Sequence, residues 1–275
     1  MKGDSVNLRL TPQPEPSGSG STLWEHLRVS VLATVLLAII VSGIYPAIVW
    51  GLAQVLFPHQ ANGSLIGRDG KPVAKIEDAV GSSQIGQNFS APRYFHPRPS
   101  AAGNGYDATA SGASNLGPTS AKLINGTTKT DDKGNEVVDF DGIHDRIVHY
   151  CDDNGIAYDS SAPMSTFKDS QGNLDDVKLI KAFNADSPLV FTPQVQIPAD
   201  AVTGSASGLD PHISVANAQI QAGRVAKSRN VPVEQVKSLV AKYTEGPGLG
   251  FLGDAGVNVL RLNLALDNQG DGTSR

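Results

Sequence analysis

From Val29 to Phe57 the chain is apolar almost without interruption, and no Asp, Glu, Lys or Arg occurs between Arg28 and Arg68. A helix needs roughly 20 such residues to cross a bilayer core, so the pattern predicts one membrane span within 23–57. The apolar region of a cleaved signal peptide has roughly 7 to 15 residues; the longer run here reads as an uncleaved anchor. Pro46 removes one backbone N–H inside it and predicts a bend between Gly43 and Pro46, while Trp24 suits the membrane interface. Ahead of the span, TPQPEPSGSGST mixes Pro, Gly and Ser and predicts a mobile tail over 1–22.

Beyond the span the periodicity changes several times. Ser64 to Ala74 places Asp69-Gly70 between apolar residues, a hairpin signal. Ser82 to Pro118 has no period and is dense in Gly, Pro, Ser and Asn, which reads as a long loop. Phe89, Tyr94, Phe95 and Tyr106 argue that this loop packs on something. Asp132-Lys133-Gly134-Asn135, before the strand-like EVVDF, and Asp169-Ser170-Gln171-Gly172-Asn173 read as solvent-facing turns, with a short helix over Ile143 to Asn154 between them. A helix capped by Ser214 or Asp210 is expected to bury Ile213, Ala216, Ile220 and Ala226. A second begins at Pro232, buries Val233, Val236, Leu239, Val240 and Tyr243, and stops at Gly246 and Gly248. Val257 to Leu266 fits both strand and helix; a buried helix with Asp254 near its cap is the expectation.

Charge changes the picture in one place. Residues 125–186 carry thirteen acidic and six basic residues, and the chain as a whole has a net charge of -5. The segment reads as an acidic surface excursion. No basic block exists, so nucleic acid is not an expected partner. The single Cys151 excludes an internal disulfide. Lys2, Arg9 and Arg28 before the span balance Arg68, Lys71 and Lys75 after it, so charge does not orient the span.

Candidate chemistry is sparse. The phosphate loop, the serine-nucleophile elbow and the His-Glu-x-x-His zinc pair are all missing from the sequence. Gly248-x-Gly250-x-x-Gly253 spells a dinucleotide fingerprint but is expected to follow a helix, which favours a glycine-rich turn. His144 and His149, with Asp145, Cys151, Asp152 and Asp153, raise a metal site. Five residues on a helix turn the two imidazoles roughly 140° apart, and no metal site is expected. His96 and His212 read as structural hydrogen-bonders. Ser111, Gly112, Ser114, Asn115 and Gly117 form a polar run able to offer backbone N–H groups to an anion or to another chain, with a self-capped turn as the alternative.

The apolar span, IGQNFSAPRYFHPRPSA (Ile85 to Ala101), SGASNLGP (Ser111 to Pro118), SGLDPHIS (Ser207 to Ser214), TEG (Thr244 to Gly246) and GFLG with VNVLRLNLALD (Gly250 to Asp267) occur in that order. Together they resemble the C subunit of the bacterial Kdp potassium-transporting P-type ATPase. The departures are Ala113 where that family usually has glycine, the Pro-rich tail and the excursion at about 125–186.

The resemblance implies an accessory subunit in the inner membrane, single-pass, with a cytoplasmic N-terminus and the bulk extracytoplasmic. It implies two partners, a potassium-channel-like subunit and the P-type ATPase subunit, whose ATP affinity it raises as a catalytic chaperone. No cofactor is expected to bind tightly, and ATP is met through the complex. Gln87, Phe89, Tyr94, Phe95, Arg98, Asp210 and His212 are the expected docking residues, and Ser111 to Gly117 the nucleotide or docking loop. The fold class expected is an α/β extracytoplasmic domain over 58–267, anchored by one N-terminal transmembrane helix, with a flexible end over 268–275. A stand-alone envelope enzyme or binding domain is the rival reading.

Overall fold

The computed structural model describes residues 22–270, so the expected tail lies outside the described residues except for Thr22. The chain divides after Ala61 into two units. In the first, Thr22 starts α1 (Leu23–Ile39) with a capping box, its Oγ accepting from Glu25 N at 3.4 Å while Glu25 Oε2 accepts from Thr22 N at 2.9 Å. A π-helical turn over Ile40–Ile44 leads into α2 (Tyr45–Leu56), and α3 (Pro58–Ala61) follows. Leu23 to Leu56 form one helical run of 34 residues with no buried residue, long and apolar enough to cross a membrane, and its most apolar 18-residue window has a mean hydropathy of 2.4. Where a bend is expected between Gly43 and Pro46, the helix widens into this turn, with Tyr45 N reaching back to Ile40 O, and continues past the proline.

The second unit is a small sheet-containing α/β body. β1 (Leu65–Ile66) pairs antiparallel with β2 (Gly81–Ser82). The Asp69-Gly70 turn forms, with Gly67 N bonding Lys71 O and Val73 N bonding Leu65 O, but the ladder partner of β1 is the later β2. After the loop to Pro118 come α4 (Ala121–Asn125), the antiparallel pair β3 (Thr127–Thr130) and β4 (Glu136–Phe140), and α5 (Ile143–Asn154). Then follow β5 (Tyr158–Ser160), α6 (Asp176–Phe183), β6 (Phe191–Pro193), paired with β5, and α7 (Ala199–Val202). The last part holds β7 (His212–Ser214), α8 (Val215–Arg229), α9 (Val233–Lys242), β8 (Thr244–Glu245), β9 (Gly256–Asn258) and α10 (Val259–Gln269). Its antiparallel sheet runs β7-β9-β8.

The main core gathers Phe95, Ile213, Val225, Val236, Val240, Val257 and Leu262 between that sheet and helices α8 to α10. Four expectations need correction here. The buried face of α8 carries Asn217, Ala218, Gln221, Ala222, Val225 and Ala226, whereas Ala216 is exposed, because two buried positions are amides that an apolar count passes over. Helix α9 ends at Lys242, since Thr244 and Glu245 pair with β9 before the glycines are reached. Val257 to Leu266 is strand first and helix after, and the cap is Asn258, whose Oδ1 accepts from Arg261 N at 3.1 Å, not Asp254. Asn268 and Gln269, placed at the flexible end, continue helix α10.

The glycine-rich run is a turn. Gly248 and Leu252 exchange two 2.8 Å backbone bonds around left-handed Leu249 and Gly250, and it adjoins an antiparallel sheet where a dinucleotide site needs a βαβ unit.

The acidic excursion is more than a solvated loop. Val148, Phe167, Leu179, Phe183 and Leu189 give it a core of its own between α5 and α6. Its two turns are built alike: Asp131 Oδ1 accepts from Lys133 N and Asn135 N, and Asp169 Oδ1 from Gln171 N and Asn173 N, all at 2.8 to 2.9 Å. Gly134 and Gly172 supply the positive φ each needs.

Candidate functional site

The long loop expected to carry the site has no ladder to satisfy its backbone, so its hydrogen bonds must come from elsewhere. They come from buried amides. Asn263 on α10 accepts from Phe95 N at 2.9 Å and donates to Phe95 O at 3.0 Å. Gln221 on α8 does the same for His96, at 2.7 and 3.1 Å, and Asn258 donates to Ser83 O at 2.9 Å. Arg224 donates to Pro92 O and Tyr94 O, and Arg229 to Arg93 O. Phe95 is thereby plugged into the core with none of its surface exposed. It anchors the loop and offers no face to a partner.

The loop closes one side of a cavity of about 540 Å³. Phe89, His96, Arg98 and Tyr106 line that side; Asp145, His149, Tyr150 and Asp153 of α5 and Asp176 of α6 line the other. His149 Nε2 lies 2.7 Å from Asp176 Oδ1 and 4.0 Å from Asp145 Oδ2. Burial, then the nearby Asp176 carboxylate, pushes the Asp145 carboxyl up to about 7 against the pull of His149. The hydrogen bond to Asp176, then Asp145, raises His149 although burial opposes. His144 turns away to stack on Phe183 at 4.9 Å between ring centres, and burial lowers it. Cys151 is fully buried and its thiol is pushed up to about 11, which leaves it inert.

A second cavity of about 340 Å³ is lined by Ser114, Asn115, Leu116, Phe140 and Thr203 to Ala206. Its polar run is fastened at one end, where Ser111 Oγ and Gly112 N both donate to Ser207 O, at 2.9 and 3.0 Å. Beyond that point Ser114 Oγ accepts weakly from Leu116 N at 3.4 Å and Asn115 sits at φ 55°. The self-capped turn is therefore real, and the Ser114 and Asn115 side chains project from it, exposed.

The remaining expected residues are scattered around the loop. Gln87 donates to Val80 O at 2.9 Å. Phe89 rests on the core beside Tyr94, whose hydroxyl donates to Asp267 at 3.0 Å. Arg98 reaches Asp210 at 2.9 Å, and Asp210 accepts from His212 N at 2.9 Å. His212 Nε2 lies 3.2 Å from Glu245, which Arg261 contacts at 3.1 Å. Burial opposes charge on Asp210, but His212 and then Arg98 outweigh it and hold the carboxyl down to about 2. The Asp210 hydrogen bond is the main cause that raises His212, with Glu245 adding to it against burial.

A group whose folded pKa is raised stabilises fully below its unfolded value near 6.5 and stops doing so as pH climbs through the folded value. Wild type is thus expected to lose stability relative to His212→Gln as pH climbs above the unfolded value near 6.5 toward the raised folded one. Chemical denaturation of both proteins across that range checks it, and parallel curves refute it.

Sequence reasoning missed the buried amides and the Asp145, His149 and Asp176 grouping. Asn and Gln inside otherwise apolar helical faces signal the first. Asp145 and His149 are four apart on α5, on one face, which is a signal for part of the second. Asp176 comes from another helix and is brought in only by tertiary packing.

The family described as K+-transporting ATPase, c chain (KdpC), matches residues 27–139 and 159–268. The "Potassium-transporting ATPase KdpC subunit" of Mycobacterium tuberculosis (strain ATCC 25618 / H37Rv) is 41% identical over 237 residues, 86% of this chain and 95% of that protein. The protein of the same description from Koribacter versatilis (strain Ellin345) is 39% identical over 243 residues, 88% and 94% of the two chains. That from Gemmatimonas aurantiaca is 41% identical over 247 residues, 90% and 94%. The stretch skipped by the family match, 140–158, is α5 with its flanks.

Proposed function

This chain belongs to the KdpC family of K+-transporting ATPase c chains, and from that premise we propose that it is a non-catalytic accessory subunit of an ATP-driven potassium uptake complex. It assembles with a potassium-channel-like subunit and a P-type subunit that hydrolyses ATP, and as a catalytic chaperone it raises the latter's affinity for ATP. The family match over most of the chain carries this reading. The sequence contains no Asp-Lys-Thr-Gly-Thr phosphorylation motif, in keeping with hydrolysis residing on another subunit.

In this reading Leu23 to Leu56 is the single span, the N-terminus is cytoplasmic and the body lies outside the inner membrane. Ala38, Ser42, Gly43 and Ala47, flanked by Val35, Ile39 and Ile44, line a shallow groove on the helix, and small residues at such a place let a neighbouring helix approach closely. A body outside the membrane does not touch cytoplasmic ATP. Its effect on ATP affinity is then a coupling: the subunit binds one conformational state of the pump better than another. The docking face is the pinned loop, with Tyr94, Ser114 and Asn115 as its accessible side chains and Arg98, Asp210 and His212 as its supports.

The test is mild detergent extraction of the tagged chain from potassium-limited cells, with identification of co-purifying subunits and an ATPase assay. A channel-like and a P-type subunit are expected to come with it. Ser114→Ala with Asn115→Ala is expected to reduce recovery of the partners several-fold and to raise the ATP concentration needed for half-maximal activity. Unchanged recovery and ATP dependence would remove the docking assignment; a chain that purifies alone would favour the stand-alone envelope domain.

A further inference from the structure

We propose that Asp145, His149 and Asp176 form a binding site for one divalent transition-metal ion, with Zn2+ the best match. Their donor atoms, one from each side chain, all lie within 4.8 Å of one another. Two come from successive turns of α5 and the third from the first residue of α6, so a bound ion clamps the two helices that enclose the excursion's core.

The observation that points to a ligand is Asp145. The residue is 2% exposed, it lines the larger cavity, and its Oδ1 makes no hydrogen bond. A buried carboxyl that stays ionised is strongly unfavourable unless it is paired or coordinates a metal. The adjacent cation does not pair it: Arg146 is committed to Asp141, at 2.8 and 2.9 Å, and to Val202 O at 3.1 Å. The other oxygen, Oδ2, lies 4.0 Å from His149 Nε2, too far for a hydrogen bond. The groups facing this point are Asp141, Asp153 and Asp176, His149, Arg146 and Arg98, the last held by Asp210. The wall around Asp145 is thus acidic, and both arginines are already engaged.

The donor set selects the metal class. One imidazole and two carboxylates suit zinc and its neighbours, whereas Mg2+ and Ca2+ prefer oxygen alone. Zinc bonds of about 2.0 to 2.2 Å set donors of a tetrahedral site roughly 3.4 Å apart. The present separations of 2.7 and 4.0 Å straddle that value, so a small swing of the His149 ring opens one and closes the other. Three protein donors leave a fourth position toward the cavity, where water completes the shell. Asp145 and His149 lie in the stretch that the family match skips, whereas Asp176 lies inside it.

The full chain in detergent, stripped with EDTA, is titrated with Zn2+ and, separately, with Mg2+ by calorimetry, with bound metal counted by elemental analysis. One Zn2+ per chain is expected, with negligible Mg2+ binding at the same concentrations. His149→Gln and Asp145→Asn are each expected to weaken Zn2+ binding at least tenfold. Asp176→Asn, at a half-exposed helix start, does the same while leaving the fold intact by circular dichroism. Zn2+ should raise the Tm of the wild type and leave that of Asp176→Asn unmoved. Absence of stoichiometric Zn2+ binding, or wild-type affinity in Asp176→Asn, overturns the proposal.

Discussion

Replacing Asn263 by alanine is expected to lower the stability of the chain by about 4 kcal/mol. The side chain is 1% exposed and satisfies both backbone groups of Phe95, itself wholly buried. Truncation leaves an N–H and a C=O without a partner where water does not reach, at roughly 1 to 3 kcal/mol each. Asn263→Leu, which keeps most of the volume, should be nearly as destabilised, because shape is retained and the hydrogen bonds are not. Asn263→Asp keeps the acceptor, loses the donor and sets a carboxylate against Phe95 O, so it too should fall well below wild type. Denaturant unfolding of the detergent-extracted protein measures all three. A leucine variant as stable as wild type would show that packing alone holds the loop.

Gly208→Ala is the second large effect, about 3 kcal/mol. Gly208 has φ +68°, where an alanine is strained, and an added Cβ would sit 2.7 Å from Gly112 O and 2.8 Å from the Ala102 Cβ. Neither neighbour is the end of a flexible side chain, so the backbone must give way. The contact lies where SGLDPHIS meets SGASNLGP, beside the Gly112 N to Ser207 O bond. Separating the two segments frees the run that presents Ser114 and Asn115, so loss of partner recovery should accompany the loss of stability. Gly246→Ala is the control, since Gly246 has nothing within 4 Å of the added Cβ and no positive φ is recorded for it. It should stay within about 0.5 kcal/mol of wild type. Equal behaviour of the two variants would remove the argument.

Local chemistry alone set several elements of this chain. The charge-free run fixed the apolar helix, since length and polarity suffice to define it. Ser214 capped α8 and Pro232 started α9, and the two Asp-Gly-Asn turns folded as their side chains dictate. Helix α5 emerged with the bounds its pattern gave, Ile143 to Asn154. Such features depend on neighbours a few residues apart, and those are visible in sequence.

Tertiary structure decided what joins distant segments. Ser82 to Pro118 reads as loop at every local scale, and the side chains of Gln221, Arg224, Arg229, Asn258 and Asn263, more than 100 residues on, pin it. Asn217 and Gln221 shifted the buried face of α8 away from Ala216, because a polar residue can be interior when its hydrogen bonds are met there. Asp145 and Asp176 meet only because α5 and α6 pack on a shared core, and the acidic excursion becomes a wall of the cavity for that reason. The sequence by itself determined the anchor, the helices and the family's blocks; the pairing of far-apart polar groups, which gives both the pinned loop and the Asp145 cluster, required the folded chain.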